Sequence, residues 1–521
     1  MVGRRYLTTN FFNTLNYILR KNAPRKMVQF LIEQTNFKGD NMSKIIEKLQ
    51  PFIARKAYVK ISKFKENTFA IIDVNTEEEI GSYSLNAKEE LVRFNFEEEA
   101  SLGCLSKKDL LAIVANFINT FYPAHKNYEL SAILDLDDSF MFVYEKKEEK
   151  HGLFLHSTGF TVSVSTAGQV TYFHCVDEEF EVRYSDMLVT EEEALKKYAN
   201  GLDFELNIQQ FDKEVFENGD HQYHLAYRVI ERIMNIPVNG SEPFSISEEH
   251  NIEQKIRELK VPPKDIYELI GITAEYKLLD KQRKKGKCIE AWSKKRELGN
   301  SFSFEMDDPD NHIIKLCFDD RTGQLIQVIS WEEYAIVKHE IGLKNATERS
   351  IQMMYKLFPN THERFRLEYP EEVDNFEDEV EEDFDEEELK FETEYIELEP
   401  TYTFYFHFYH KGLRVDQHVS YISIGRYTGK ITNFHLDMPT NALFDEVQTT
   451  STISPQEAKE IYMKYVRMEL TFSREYDENG KALYSLSYAP AFPTTIGHVK
   501  AVDAISGKAM YVDVGNATFL T

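Results

Sequence analysis

Along the chain, apolar residues first show the spacing of a helix and then the alternation of strands, and the second half of the chain repeats this succession. Leu110, Val114, Phe117 and Phe121 follow the spacing of one apolar helix face. Residues 351–358 repeat this spacing. Each segment ends at an aromatic residue followed by proline, which is a common helix stop. The pattern therefore predicts one amphipathic helix in each half of the chain.

Aromatic residues at alternate positions follow each predicted helix. These segments are FMFVYEKK, which begins at Phe140, and YTFYFHFYHKG, which begins at Tyr402. Both have the two-residue period of a strand with one buried face. The next segments, GFTVSVSTAGQVTYF and HVSYISIGRYTGKITNF, predict hairpins whose turns contain Gly168 and Gly429. Glycine suits such turns because it adopts positive φ without the steric cost of a Cβ.

Two further local motifs recur. D-x-x-[TS]-G predicts hairpin turns at 319–323 and 503–507, where the acidic and hydroxyl side chains can bond turn amides. We therefore interpret these aspartates as turn residues and not as catalytic groups. A second predicted helix in each half opens with a capping box, and its two residue pairs are Thr190 with Glu193 and Ser454 with Glu457.

These elements are two copies of one sequence unit. Phe142 recurs as Phe404 at an offset of 262, and the later offsets stay close to 261. Earlier offsets are near 240, so about 26 residues enter the second copy before Phe404. The duplication predicts an α+β fold of helix-plus-antiparallel-sheet modules in the order A1–B1–A2–B2. The predicted modules are 1–100 (A1, the most degenerate), 101–245 (B1), 246–345 (A2) and 346–521 (B2, with an acidic insert at 371–399).

Three segments resemble a known family: HGLFLHSTGFTVSVSTAGQVTYF, KGLRVDQHVSYISIGRYTGKITNF and EAKEIYMKYVRMELTF. Their succession of elements resembles the PepSY-like repeat and, more closely, the YcdB/YcdC repeat proteins of endospore-forming bacteria. The resemblance covers most of 105–240 and 400–513, and it is looser in 250–345 and loosest in 1–100. It implies tandem PepSY-like modules, each a helix packed on an antiparallel sheet, and it implies no catalytic residue. PepSY-type domains are often linked to restraining peptidases or act as binding modules in envelope and spore contexts.

Composition narrows the possible classes. The length of 521 residues predicts two to four domains, and an aromatic content of 13% favours sheet. A net charge of −27 argues against non-specific nucleic-acid binding, which needs cations on the protein surface. The four cysteines lack metal-binding spacing and are interpreted as reduced thiols. We recognise no signal peptide and no run of 18 apolar residues, so we expect a protein of the cytoplasm or the spore interior without a membrane span.

The acidic insert carries most of the net charge. Residues 371–399 contain 17 acidic residues and one lysine, which contribute −16. Three interpretations stay open: a solvated loop, a docking element for a protein with a basic surface, or a weak Ca²⁺ site. Phe376, Val380 and Phe384 recur every four residues and would form an apolar stripe on a helix, so they are partner-binding candidates.

The aromatic strand 402–410 contains the remaining candidates. His407 and His410 are the best metal candidates, with His418 nearby, but residues three apart on a strand point to opposite faces unless the strand bends. Ordinary strand and loop histidines are the alternative. If one side of the strand is uncovered, Tyr405 and Tyr409 become candidates for a partner-binding surface, and core packing is the alternative.

No G-x-S-x-G, P-loop or complete H-E-x-x-H motif occurs in the sequence. The leading hypothesis is a non-catalytic binding or regulatory protein, with peptidase restraint or a spore-associated role as its narrower forms. One alternative is a structural or assembly protein of a spore or related body. Another is an enzyme with a site between the two copies. No cofactor is predicted.

Overall fold

The computed structural model has a mixed α/β fold with much more sheet than helix. The residues that it describes are 45, 47–52, 59–65, 67–73, 76–96, 105–122, 127–136, 138–176, 178–243, 253–294, 302–304, 312–332, 339–370, 399–439, 441–444, 446–495, 497–512 and 518–519. Their strands form three sheets.

The first sheet lies in the amino-terminal third of the chain. Its strands are β1 (Val59–Lys65), β2 (Thr68–Asp73), β3 (Glu79–Leu85), β4 (Leu91–Phe96), β5 (Glu129–Asp135), β6 (Ser139–Lys147), β7 (Phe154–Ser165) and β8 (Val170–Val176). They pair in the order β1-β2-β3-β4-β8-β7-β6-β5, and every pair is antiparallel. Helix α1 (Lys107–Phe121) buries Leu110, Val114 and Phe117 in the same core as the strands, as its predicted apolar face requires.

The second sheet repeats this arrangement strand for strand. Its elements are β13 (Gln254–Lys255), α3 (Ile266–Ile270), β14 (Lys277–Lys284), β15 (Lys287–Ser293), β16 (Ile314–Asp319), β17 (Leu325–Ser330), α4 (Leu343–Leu357), α5 (Thr361–Arg364), β18 (Phe365–Glu368), β19 (Thr401–His410), β20 (Leu413–Gly425) and β21 (Ile431–His435). The strands pair in the order β14-β15-β16-β17-β21-β20-β19-β18-β13. Helix α4 packs against β19 and β20.

The remaining elements form a central body between the two large sheets. From the first copy come β9 (Phe180–Arg183), α2 (Glu191–Asn200), β10 (Leu202–Gln210), β11 (Tyr223–Glu231) and β12 (Ile236–Pro237). From the second copy come α6 (Pro455–Met463), β22 (Arg467–Tyr476), β23 (Ala482–Ala491), β24 (His498–Asp503) and β25 (Ala509–Val512). The paired strands β10 and β11 join the second sheet through one parallel bridge between Ile208 and Val415.

In the central body the two copies exchange elements reciprocally. Strand β24 of the second copy pairs with β11 of the first, and β12 of the first pairs with β23 of the second. Helix α2 packs on β22 and β23, whereas α6 packs on β10. Strand β26 (Thr518–Phe519) of the second copy continues the exchange by pairing with β5 of the first. Strand β13 occupies the matching edge position of the second sheet by pairing with β18. Each copy is therefore completed by strands and a helix of the other.

The exchange determines how the apolar cores are divided. One core belongs to the first sheet and α1, and it includes Phe94, Phe142 and Phe173. A larger core joins the second sheet to the central body and contains residues of both copies, such as Tyr198 and Phe404. The predicted boundary between modules A1 and B1 falls at residue 100, but strands from both modules belong to the first sheet. They meet where Phe94 of β4 pairs with Phe173 of β8, so one sheet contains strands of two predicted modules.

The predicted local motifs are confirmed. Both capping boxes form, with Thr190 and Ser454 accepting the amide hydrogens of Glu193 and Glu457. In the D-x-x-[TS]-G turns, Asp319 accepts the Thr322 amide at 2.8 Å, and Asp503 accepts the Ser506 amide at 2.6 Å. The turn glycines Gly168 and Gly429 have φ of 92° and 67°, a region that a Cβ disfavours.

Candidate functional site

An uncovered row of aromatic side chains crosses the second sheet. Tyr405 on β19 pairs with Tyr421 on β20, which pairs with His435 on β21. The Tyr405 and Tyr421 ring centroids are 6.4 Å apart, and those of Tyr421 and His435 are 5.8 Å apart. Tyr405 is 39% exposed and His435 is also exposed. We call Tyr405, Tyr421 and His435 the aromatic row.

Strand alternation creates this row. Phe404 and Phe406 point into the core and are fully buried, so Tyr405 between them must point to the other face. An antiparallel sheet covered on one face normally carries polar residues on its open face. Here that face carries large rings, which supply contact area at a small cost in side-chain entropy.

The first sheet has the same row in the same register, but different residues occupy it. Val143, Thr161 and His174 stand where Tyr405, Tyr421 and His435 stand in the second sheet. His174 lies opposite Arg93 on β4, and burial together with the Arg93 charge lowers the pKa of His174. The aromatic row is therefore a feature of one copy.

His407, the predicted metal candidate, lies in a cluster of charged side chains. It is 6% exposed, and its Nε2 lies 2.5 Å from a carboxylate oxygen of Glu368. Its Nδ1 lies 3.1 Å from Arg414, whose guanidinium pairs with Glu253 at 2.7 Å. Tyr409 donates to the same Glu253 at 2.8 Å, and burial followed by the Glu253 contacts raises the Tyr409 pKa.

The other two histidines face different surroundings. His410 lies against the ring of Phe444 with centroids 5.2 Å apart, on the strand face opposite to His407. His418 lies between Tyr223 and Asp437, at 2.8 and 2.9 Å. Within the described ranges, no three His, Cys, Asp or Glu side chains are grouped so that they could hold a metal ion. The three histidines thus do not converge.

The acidic insert joins the strands beside the aromatic row. It connects β18, which ends at Glu368, to β19, which begins at Thr401. Glu399 fixes the return of the chain, because its carboxylate accepts the amides of Tyr427 and Thr428 at 2.8 and 2.7 Å. The candidates Phe376, Val380 and Phe384, and the proposed Ca²⁺ site, lie outside the described residues.

A buried polar cluster lies where the two copies meet. The hydroxyls of Tyr198 on α2 and Tyr462 on α6, which are equivalent residues, lie 2.7 Å apart. Both donate toward Glu231 of β11, at 2.7 and 3.0 Å, and Lys500 of β24 pairs with Glu231 at 2.6 Å. We call these four residues the tyrosine–glutamate cluster.

Burial and the members of the tyrosine–glutamate cluster themselves shift the pKa values within it. Burial alone would raise the Glu231 pKa, but the Lys500 ammonium and the two tyrosine hydroxyls hold it below the usual value. Burial and the Glu231 charge raise the pKa of both tyrosines. In the second copy Phe492 stands at the position of Glu231 and packs edge-on against Tyr462. One carboxylate therefore serves a pair of equivalent tyrosines.

Sequence reasoning missed this cluster, although a signal was present. Tyr198 and Tyr462 occupy the same place in the two capped helices, four residues after the matched Ala194 and Ala458. A helix spacing of four puts both residues on one buried face. The sequence does not indicate that the two helices meet, because that contact depends on the reciprocal exchange.

The fold and these contacts define a duplicated repeat protein whose two copies interlock. A family model described as the YcdB, YcdC repeated domain matches residues 36–177 and 262–438. The chain belongs to this family of bacterial repeat proteins. The two matches end where the two large sheets end, so the family repeat corresponds to the sheet units and the central body lies outside it.

Two relatives come from Bacillus subtilis strain 168. The chain is 25% identical to the uncharacterized protein YcdB over 471 residues, which cover 86% of this chain and 89% of YcdB. It is 21% identical to the uncharacterized protein YcdC over 372 residues, which cover 69% of this chain and 74% of YcdC. The solved Bacillus megaterium YpeB C-terminal domain is 11% identical, with a TM-score of 0.24 over 37% of this chain and 87% of that domain.

None of the helices among the described residues has both the length and the apolar character needed to cross a bilayer.

Proposed function

We propose that the chain is a non-catalytic binding protein, in which helix-on-sheet modules of the PepSY-like type present one partner-binding face. The observation that carries the proposal is the aromatic row on a sheet whose counterpart lacks it. Both large sheets have the same strand order, so the scaffold does not require tyrosine at these positions. Tyrosine is among the residues that contribute most to protein–protein contacts.

The acidic insert supports the same face. It is present in one copy, and it connects β18 to β19. On these two paired strands Glu368 lies directly opposite Tyr405. A charge of −16 next to an aromatic row suits a partner with a basic surface. The carboxylates would accelerate encounter, and the rings would supply the contact area that holds the complex.

A narrower form of the proposal is that the partner is a peptidase held in check, or another protein of the spore. Its support is the resemblance of the capped helices and glycine hairpins to PepSY-type domains. This form is an analogy of fold and names no residue for the partner.

The test compares four forms of the full chain as immobilised bait in lysate of the organism that makes it. These are the wild type, Tyr405→Ser with Tyr421→Ser, a deletion of 371–398, and Val143→Ser with Thr161→Ser as the matched control. The deletion keeps Glu399 because it holds the amides of the following turn. We expect the same basic protein to be retained by the wild type and the control and lost from the other two.

Two results would contradict the proposal. If all four forms capture the same proteins, the aromatic row binds none of them. If the deletion abolishes cooperative melting, the insert is part of the scaffold and the docking role proposed for it is wrong.

A further inference from the structure

A small polar cavity lies where the first sheet meets the central body. Its volume is about 90 Å³, and its walls come from β6, β7, β9, β22 and β23. Lys146, Ser157 and Glu178 line it from the first copy, and Arg474 and Tyr484 line it from the second. The space equals roughly three water molecules, which is enough for a carboxylate group.

Two cationic side chains, Lys146 and Arg474, and one carboxylate, Glu178, line this cavity. The Lys146 ammonium lies 4.6 Å from the centre of the Phe180 ring and 5.7 Å from that of Tyr128. Within the described part of the chain, no carboxylate lies at ion-pair distance from it. Arg474 pairs with Glu178, and its buried Nε has no hydrogen-bond partner among the described residues. The lining thus carries one excess positive charge and an unused donor.

The equivalent junction in the second copy shows that the position of Lys146 does not require a charged residue for packing. There Phe408 takes the place of Lys146 and lies 6.0 Å from the ring of Phe444, the counterpart of Phe180. Tyr223, the counterpart of Tyr484, packs edge-on against Phe444 as Tyr484 does against Phe180. The junction is therefore built satisfactorily with phenylalanine.

Two more substitutions separate the junctions. Gln210 stands at the position of Arg474, and His418 stands at the position of Thr158, where its ring reaches the Tyr223 hydroxyl at 2.8 Å. In the second junction a ring–ring contact between Phe408 and Phe444 and a hydrogen bond between His418 and Tyr223 thus replace the two cations. Both cations of the first junction are absent from it, so neither is required by the shared framework.

We propose that the cavity binds a carboxylate, such as the end of a peptide or a short carboxylic acid, between Lys146 and Arg474. The excess of one positive charge matches a monoanion. The Arg474 Nε would donate one hydrogen bond to it, and the Lys146 ammonium would supply the charge. Ser157 lines the same space, and its hydroxyl would donate another hydrogen bond.

The test is equilibrium dialysis of the full chain with labelled acetate at constant ionic strength, with acetamide and inorganic phosphate as competitors. The wild type should bind one acetate per chain, acetamide should not compete, and phosphate should compete more weakly than unlabelled acetate. Lys146→Met and Arg474→Gln, the latter matching the second copy, should each weaken binding at least tenfold. Lys147→Met removes the adjacent exposed cation and should leave binding unchanged.

Three results would overturn the proposal: no saturable acetate binding by the wild type, equal loss in Lys147→Met, or tighter binding of phosphate than of acetate. Melting curves of each variant distinguish lost binding from lost folding. Lys146→Phe adds an independent check, because it reproduces the second junction and should abolish binding while the chain keeps its melting temperature.

Discussion

The two junctions between a large sheet and the central body are built from equivalent positions and filled with opposite chemistry. In the second copy, Phe408 and Phe444 pack together. In the first, Lys146 lies over Phe180 beside a cavity. Their shared edge-on Tyr–Phe pair shows that the duplication preserved the framework. The comparison teaches that features present in one copy are better guides to function than features present in both.

The largest expected effect tests whether the two copies fold as separate units. Phe142→Ala and Phe404→Ala each remove a fully buried ring, which should cost about 3–5 kcal/mol. Because the first sheet has its own core, Phe142→Ala should lower one calorimetric transition and leave the other in place. A single transition shifted equally by both variants would mean that the exchanged strands couple the copies into one unit.

A second prediction concerns the asymmetric centre. Glu231→Ala leaves Lys500 and two buried hydroxyls without their acceptor and should lower the free energy of unfolding by about 3 kcal/mol. Urea unfolding at pH 7 measures the loss. Tyr198→Phe is the control and should cost about 1 kcal/mol, since it removes one hydroxyl. Equal costs for both variants would contradict a shared carboxylate.

The two D-x-x-[TS]-G turns should differ in their response to acid. Although burial alone would raise the Asp503 pKa, hydrogen bonds from His224 and Ser506 lower it to about 2. Because the pKa of Asp503 is lower in the folded state, its ionised carboxylate stabilises the fold fully at pH values above the unfolded-state pKa of 3.8. This stabilisation is lost as the pH falls toward the folded-state pKa of about 2. The loss should be about 2 kcal/mol.

Asp503→Asn should flatten that part of the stability–pH curve, as measured by urea unfolding between pH 5 and about pH 2. Asp319→Asn should change it less, because the Asp319 side chain is more exposed than that of Asp503 and, within the described residues, no histidine lies at ion-pair distance from it. The reverse order would show that burial at the turn is not what separates the two turns.

The smallest effect should be equal in the two copies. Thr190→Ala and Ser454→Ala each remove the side-chain acceptor of a capping box and should cost about 1 kcal/mol. Thermal melting of the two variants measures it. Markedly unequal costs would mean that the exchanged helices α2 and α6 do not have equivalent surroundings.

Local structure could be predicted from the sequence because its causes are local. The cap of Ser454, the turn at Asp503 and the alternation around Tyr405 each depend on residues within a few positions. The predicted opposite directions of His407 and His410 are confirmed for the same reason. Such signals establish helices, strands and turns but not which strands pair.

The exchange and the sites that depend on it could not be predicted. Pairing of β11 with β24 joins residues separated by more than 260 positions, and either copy could have supplied the strand. The Tyr198–Tyr462 contact and the Lys146–Arg474 cavity both follow from that choice. Lys146 reads as an ordinary strand lysine until it is compared with Phe408 in the other copy.

The reciprocal exchange also has a consequence for the order of synthesis. Helix α2 ends at Asn200, but the strand β23 against which it packs ends only at Ala491. Ribosomes add roughly 5–20 residues per second, so α2 would wait about 15–60 s for its packing surface. During that interval the nascent first copy exposes an unfinished apolar surface, and the growing chain is a candidate client for chaperones that act at the ribosome.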